Sequence, residues 1–220
     1  MCSRFYVDVN LRDALERIKS LYGLEGYQGP EMIKPGDVKP SEKSLVIRKN
    51  SMPQGGPPLV LEWMTWGYLA HRKNNQLLIN ARIESAEEKP AFSSSFLLRR
   101  CLIPASGFYE WDREKNKADF RMADGKALFL AGCYDVFENA RRFTVFTTQA
   151  CGLVVPVHDR MPLMISMGDI LQWFENHGRG EGFGIDGKES GRGRGYRTLI
   201  EKPMPKLACR REYEQMSLLL

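Results

Sequence analysis

A chain of 220 residues, 43% hydrophobic, has enough apolar content for one large core without disulfide staples. A net charge of +5 suits an anionic partner but selects none by itself. No run approaches the ~20 apolar residues of a membrane span, and M-C-S-R-F-Y-V-D-V-N lacks the basic start and apolar core of a secretory signal. The cysteines, Cys2, Cys101, Cys133, Cys151 and Cys209, are odd in number and contain no C-x-x-C pair. Reduced thiols, a cytoplasmic setting and no zinc site are therefore expected.

After a first strand, Leu11, Leu15, Ile18 and Leu21 fall at helical spacing, with Asn10 as the expected cap, Asp13 as the acid at N3 and Gly23 as the stop. Residues 24–58 are rich in Pro and Gly and read as surface loops around a strand at Ser44–Ile47, leading into a second at Val60–Tyr68. From Leu77 the chain becomes strand-rich: Leu77–Ala81, Arg100–Pro104, Gly107–Trp111, Phe120–Met122, Leu128–Tyr134 and Phe143–Thr147, with Asp124-Gly125 as a turn. Short helices are expected near Phe92–Arg99 and Asp169–Asn176. The sum is an α+β single domain with a mixed or antiparallel sheet, curled toward a barrel, and a few peripheral helices.

Cys2 carries the most distinctive chemistry. Removal of Met1 places a free α-amine, with a pKa of roughly 7.7–8.0, and a thiol on one residue. The amine can condense with an aldehyde to an imine, and the thiol can add to the same carbon to close a five-membered thiazolidine. The alternative is a small hydrophobe near a terminus.

Three strand-region segments hold polar residues among apolar ones: Ile79-Asn80-Ala81-Arg82, Phe108-Tyr109-Glu110-Trp111 and Val157-His158-Asp159-Arg160-Met161-Pro162. An amide, a carboxylate and an imidazole in such settings need hydrogen-bond partners or a cleft. Each also has an ordinary structural reading: Asn80 a strand-end turn, Glu110 a solvent-facing strand position, His158 a satisfied core histidine.

Together with the terminus these segments resemble the SRAP family, the SOS-response-associated peptidase-like proteins that protect abasic sites in DNA. The carriers are M-C-S-R-F at 1–5, W-G at 66–67, N-A-R-I-E-S at 80–85, K-P-A-F at 89–92, R-R-C-L-I-P-A-S-G-F-Y-E-W at 99–111, A-G at 131–132 and H-D-R-M-P at 158–162. The resemblance implies a barrel-like domain over 1–208 that crosslinks its N-terminal cysteine to an abasic site in single-stranded DNA, with self-crosslinking and an abasic-site lyase route as its activities. It implies Cys2 as double nucleophile, Asn80 as the positioning amide, Glu110 steering the α-amine and His158 as general acid/base. Arg4, Arg82 and Arg160 lie beside them as candidates to hold phosphates bidentately. Of Trp63, Trp66, Trp111 and Tyr109, the W-G context selects Trp66 for base stacking. Neither a metal nor another cofactor is required. Ser3 stands where the family usually has Gly and Ile83 where it usually has Ser, and no counterpart of its N-I-A-P-T-Q stretch follows the first helix.

Residues 178–195 combine eight glycines with Arg179, Lys188, Arg192 and Arg194, a composition for a flexible loop or a phosphate-tracking arm. In the expected tail, 209–220, Gln215 to Leu219 resembles the peptide by which bacterial repair proteins bind the replication sliding clamp. A packed terminal strand is the alternative. A monomer near the nucleoid, acting in the DNA damage response, is the expected whole. Two other functions compete: a cysteine peptidase or N-terminal-nucleophile amidohydrolase with His158 as base and Asn80 as oxyanion donor, and a noncovalent single-strand-binding module.

Overall fold

The computed structural model describes residues 2–51, 55–70, 77–175 and 206–212. In chain order its elements are β1 (Arg4–Val7), α1 (Leu11–Tyr22), β2 (Leu24–Glu25), β3 (Gly36–Val38), β4 (Lys43–Lys49), β5 (Leu59–Trp66), β6 (Tyr68–Leu69), β7 (Leu77–Leu78) and β8 (Asn80–Arg82). There follow α2 (Ile83–Ala86), α3 (Ser93–Leu98), β9 (Arg100–Ala105), β10 (Gly107–Trp111), β11 (Lys117–Met122), β12 (Leu128–Phe137), β13 (Ala140–Gln149), β14 (Arg160–Pro162), α4 (Ile170–Phe174) and β15 (Leu207–Glu212). The segment 178–195 and Gln215–Leu219 lie outside the described residues.

β13, β12, β9, β4 and β5 pair antiparallel in that order, and β5 returns to β13 in parallel at Arg142↔Thr65 and Phe143↔Trp66. That last pairing closes a five-stranded mixed barrel, which removes the open edges that a flat sheet would leave. Every residue of β9 is buried, because one face lines the barrel and the other is covered by neighbouring elements. Against the barrel lies a second sheet, β15-β11-β10-β1-β3. Its inner row, Phe5, Val38, Phe108, Ala118 and Phe120, is buried in the common core. Its outer row includes Arg4, Tyr6, Tyr109 and Trp111, as the period of two demands.

The α+β barrel expectation holds, with local differences. Leu21 is exposed, and α1 buries Leu11, Ala14, Leu15 and Ile18 instead. Asn10 makes no side-chain cap; Asp8 Oδ1 accepts its backbone N–H at 2.9 Å, in an Asx turn that leads into the helix at Leu11. The expected strand Leu77–Ala81 is interrupted at Ile79, because β7 pairs with β6 whereas β8 pairs with β13. The loops of 24–58 also supply the edge strands β2 and β3. The tail does not begin at 209: β15 pairs with β11 from Lys117↔Glu212 to Met122↔Leu207.

Candidate active site

The site is built where β5 leaves the edge of β13. β5 pairs there through Phe143, and Gly67 then turns the chain away with φ of 105°, in the region that favours glycine. β8 takes over the vacated edge at Val145↔Asn80 and continues to Thr147↔Arg82. This exchange presents Asn80 beside the N-terminal segment, and its Nδ2 donates to the Cys2 carbonyl at 2.7 Å. Asn80 Oδ1 is buried and has no hydrogen-bond partner among the described residues, leaving an acceptor at the site.

Cys2 is fully buried, and its thiol donates to the Arg4 carbonyl at 3.6 Å. Burial, reinforced by the charge of Glu110, pushes its pKa far above the ordinary thiol value, so Sγ is held as S–H. Glu110 projects inward in the same row as Phe108 and is 2% exposed. Burial pushes its carboxyl up to about 7, and a hydrogen bond with the Trp111 backbone opposes that rise. His158 follows the 3-10 turn Gly152–Val154 and is tied to it by a backbone hydrogen bond from His158 N–H to the Val154 carbonyl, 2.9 Å. Burial lowers its pKa and favours the neutral ring, with the Asp159 carboxylate opposing the shift. Glu110 thus acts on Cys2, and Asp159 acts on both Glu110 and His158. Cys2, Asn80, Glu110 and His158, scattered over more than 150 residues of sequence, share one electrostatic neighbourhood.

His158 Nδ1 lies within hydrogen-bond reach of two groups, and its protonation decides which one it uses. When neutral, Nδ1 accepts the Arg160 backbone N–H at 2.9 Å, which places the ring proton on Nε2. When protonated, Nδ1–H has the Asp159 carboxylate at 2.8 Å.

The flanking residues divide into two kinds. The Arg82 side chain is exposed and makes no hydrogen bond or ion pair with the described residues. Arg4 stacks over Trp111 at 5.4 Å and pairs loosely with Asp37 at 3.5 Å. Arg160, by contrast, has its guanidinium committed: Nη1 and Nη2 donate to both oxygens of Glu84 at 2.9 and 2.8 Å, and Nη2 donates also to the Thr147 carbonyl at 2.6 Å. Burial would raise Glu84, but these hydrogen bonds hold it below its ordinary value.

Trp66 is a correction. It is completely buried between Phe5, at 5.1 Å, and Phe143, at 6.1 Å, and its Nε1–H donates to the Ile79 carbonyl at 2.9 Å. It has no free face for a base. Its place is structural, fixing the residue before Asn80. The accessible aromatic row lies instead on the outer face of the second sheet: Tyr6 and Tyr109 at 5.1 Å, Tyr109 and Trp111 at 6.4 Å, with Lys117 Nζ 4.8 Å over Tyr109. Gly107 permits this row, since a Cβ there would strike the Tyr6 ring. Sequence reading passed over Glu84 and Thr147, whose partner Arg160 is remote in the chain; the acid of N-A-R-I-E-S was the one available signal.

The model of the SOS response associated peptidase (SRAP) family matches residues 1–182. Abasic site processing protein YoaM of Bacillus subtilis is 29% identical over 187 residues, covering 79% of this chain and 78% of YoaM. Abasic site processing protein YedK of Escherichia coli is 27% identical over 197 residues, covering 86% and 83%. Among solved structures, a phage-related protein from Bordetella bronchiseptica has a TM-score of 0.69 at 19% identity, over 96% of this chain and 94% of that one, a likeness of fold. The family match runs through the barrel, the Cys2 segment and all four clustered side chains, and the chain belongs to the SRAP family.

Proposed function

We propose that this protein recognises abasic sites in single-stranded DNA and, once Met1 is removed, captures the deoxyribose aldehyde as a thiazolidine on Cys2. The observation that carries the reading is a fully buried Cys2 whose carbonyl is held by Asn80, beside a carboxyl shifted to about 7. The abasic-site-processing names of its relatives support the substrate.

Glu110 near neutrality can take a proton from the α-ammonium and release the amine as nucleophile. Attack on the aldehyde carbon forms the C–N bond of a carbinolamine. Asn80 Oδ1 offers an acceptor for the groups that reorganise there. Protonated His158, with Nδ1–H on Asp159, delivers its Nε2 proton to the departing hydroxyl. Imine formation expels one water, its oxygen from the aldehyde and its hydrogens from the amine. The thiol then adds across C=N, with sulfur to carbon and hydrogen to nitrogen. Burial raises the thiol pKa, the opposite of the lowered value on which a cysteine peptidase relies. Reversal, or a lyase route from the imine, would use the same groups.

Arg82, Arg4 and the Tyr6–Tyr109–Trp111 row supply the cations and π faces that a single strand requires. Gln215–Leu219 is the proposed docking peptide for a replication sliding clamp, and the working unit is proposed to be a monomer in the cytoplasm near the nucleoid.

The test mixes wild type, Cys2→Ala and Cys2→Ser with an abasic oligonucleotide and reads denaturant-resistant adduct by gel and intact mass. The expected adduct lacks Met1, weighs one water less than the sum of its parts and is absent from both variants. No adduct from a correctly processed terminus would return the peptidase and passive-binding readings to the front.

A further inference from the structure

We propose that the outer face of the second sheet ends in a subsite for one nucleotide of the strand flanking the lesion. Its base, one that carries an exocyclic amine, lies against Tyr6 and Asp8, and its phosphate meets Arg121 and Lys126. The proposal rests on the single-strand reading above.

A cavity of about 230 Å³ opens where β1 gives way to α1, beside the β9–β10 turn and the turn from β11 to β12. Tyr6, Asp8, Asn10, Ser106, Arg121 and Lys126 are among its lining residues. The Tyr6 ring lies over Gly107, where a Cβ would strike it, and its hydroxyl donates to Asp119 Oδ1 at 3.0 Å. Thus fixed, it continues the row that runs through Tyr109 and Trp111 to Arg4, and a held ring is a ready stacking surface for a base. Asp8 is fixed too: Oδ1 accepts the Asn10 N–H at 2.9 Å and the Ser106 hydroxyl at 2.8 Å, and Ser106 Oγ accepts the Asp8 N–H at 2.8 Å. Asp8 Oδ2 accepts no hydrogen bond from the described residues. A carboxylate so placed can accept from the N4 amine of cytosine and has no proton for the O4 of thymine. The cations come from other elements. Arg121 is exposed and makes no hydrogen bond or ion pair with the described residues. Lys126 Nζ meets Asp124 at 2.7 Å in an exposed pair that leaves further donors on the ammonium. Tyr6 is four residues along the chain from Cys2, roughly 13 Å when extended. The cavity therefore serves a neighbouring nucleotide and not the abasic sugar itself.

The probe is a single strand carrying a tetrahydrofuran abasic analogue, which has no aldehyde and forms no adduct, with either flank shortened one nucleotide at a time. Fluorescence anisotropy compares wild type, the double variant Arg121→Ala, Lys126→Ala and, as an equal change of charge elsewhere, Arg17→Ala, Lys43→Ala; all four side chains are exposed. Wild type is expected to lose about 10-fold in affinity in one step on one flank, and about 5-fold when thymine replaces cytosine at that step. The cavity variant shows neither loss and the charge control shows both. In NMR, the Gly125 and Lys126 amides shift with strands that reach the step and stay in place with shorter ones. An even decline on both flanks, a step retained by the cavity variant, or equal weakening of the two double variants overturns the proposal. Equal affinity for cytosine and thymine overturns the role of Asp8. If the analogue binds no better than an intact strand, lesion recognition fails as a reading, and intact strands still decide the cavity: weakening confined to Arg121→Ala, Lys126→Ala supports it, and equal binding by the two double variants overturns it.

Discussion

Glu110 is the residue at which stability and chemistry pull against each other. Its carboxyl is raised from 4.5 to about 7 because burial disfavours the charge. A raised acid holds its proton more tightly folded than unfolded, so its stabilising contribution is complete below 4.5 and is lost as the pH climbs to about 7. Glu110→Gln keeps the shape and removes the charge. It is expected to raise thermal stability near pH 8, by up to about 3 kcal/mol, and to leave it nearly unchanged near pH 4. The same variant should abolish the rise in adduct rate between about pH 6 and 8 that the ionising carboxylate produces. Melting curves and adduct kinetics at matched pH check both. His158 behaves oppositely: lowered by burial from 6.5, it adds stability above that value and loses it as the pH falls.

At the scale of elements, the crossover from β5 to β8 on one edge of β13 decides where Asn80 points. Gly67 makes the turn, the Arg142 guanidinium donates to its carbonyl at 3.0 Å, and Trp66 braces Ile79 from within the core. Trp66→Phe removes the indole N–H from the Ile79 carbonyl, which then keeps only the Val145 N–H at 3.1 Å. The lost hydrogen bond and the smaller ring should together destabilise the fold by about 1–3 kcal/mol and slow adduct formation without changing the half-saturating DNA concentration. Trp63→Phe, at an exposed position of the same strand, is the control and should do neither. A change confined to DNA affinity would restore the stacking role. The W-G pair was legible in sequence, but its role was not. β5 is covered on both faces over Leu59–Leu61, which erases the alternation that would have shown Trp66 pointing inward.

For the whole molecule, β15 changes the meaning of the C-terminus. Pairing with β11 over Leu207–Glu212 makes it the outer strand of the second sheet, so the sheet depends on residues that read as tail. A chain ending at Glu212 should keep wild-type melting and adduct formation and lose only clamp binding, if Gln215–Leu219 is the docking peptide. A chain ending at Pro205 strips β11 of its outer partner, exposes an edge and should melt earlier. Thermal melts of the two truncations, with clamp binding measured on the full chain and on the first of them, separate the two roles. Among the described residues no helix is long and apolar enough to cross a membrane.

Sequence by itself determined the family and the α+β class, because many short motifs matched in one order over most of the chain leave few alternative explanations. Only the tertiary structure decided that Arg160 pairs with Glu84, that Trp66 is core and Trp111 carries Arg4, and that residues from 207 onward complete a sheet. Those outcomes depend on which strand edge a remote segment takes, and pairing across 60 to 100 residues leaves no local periodicity to read.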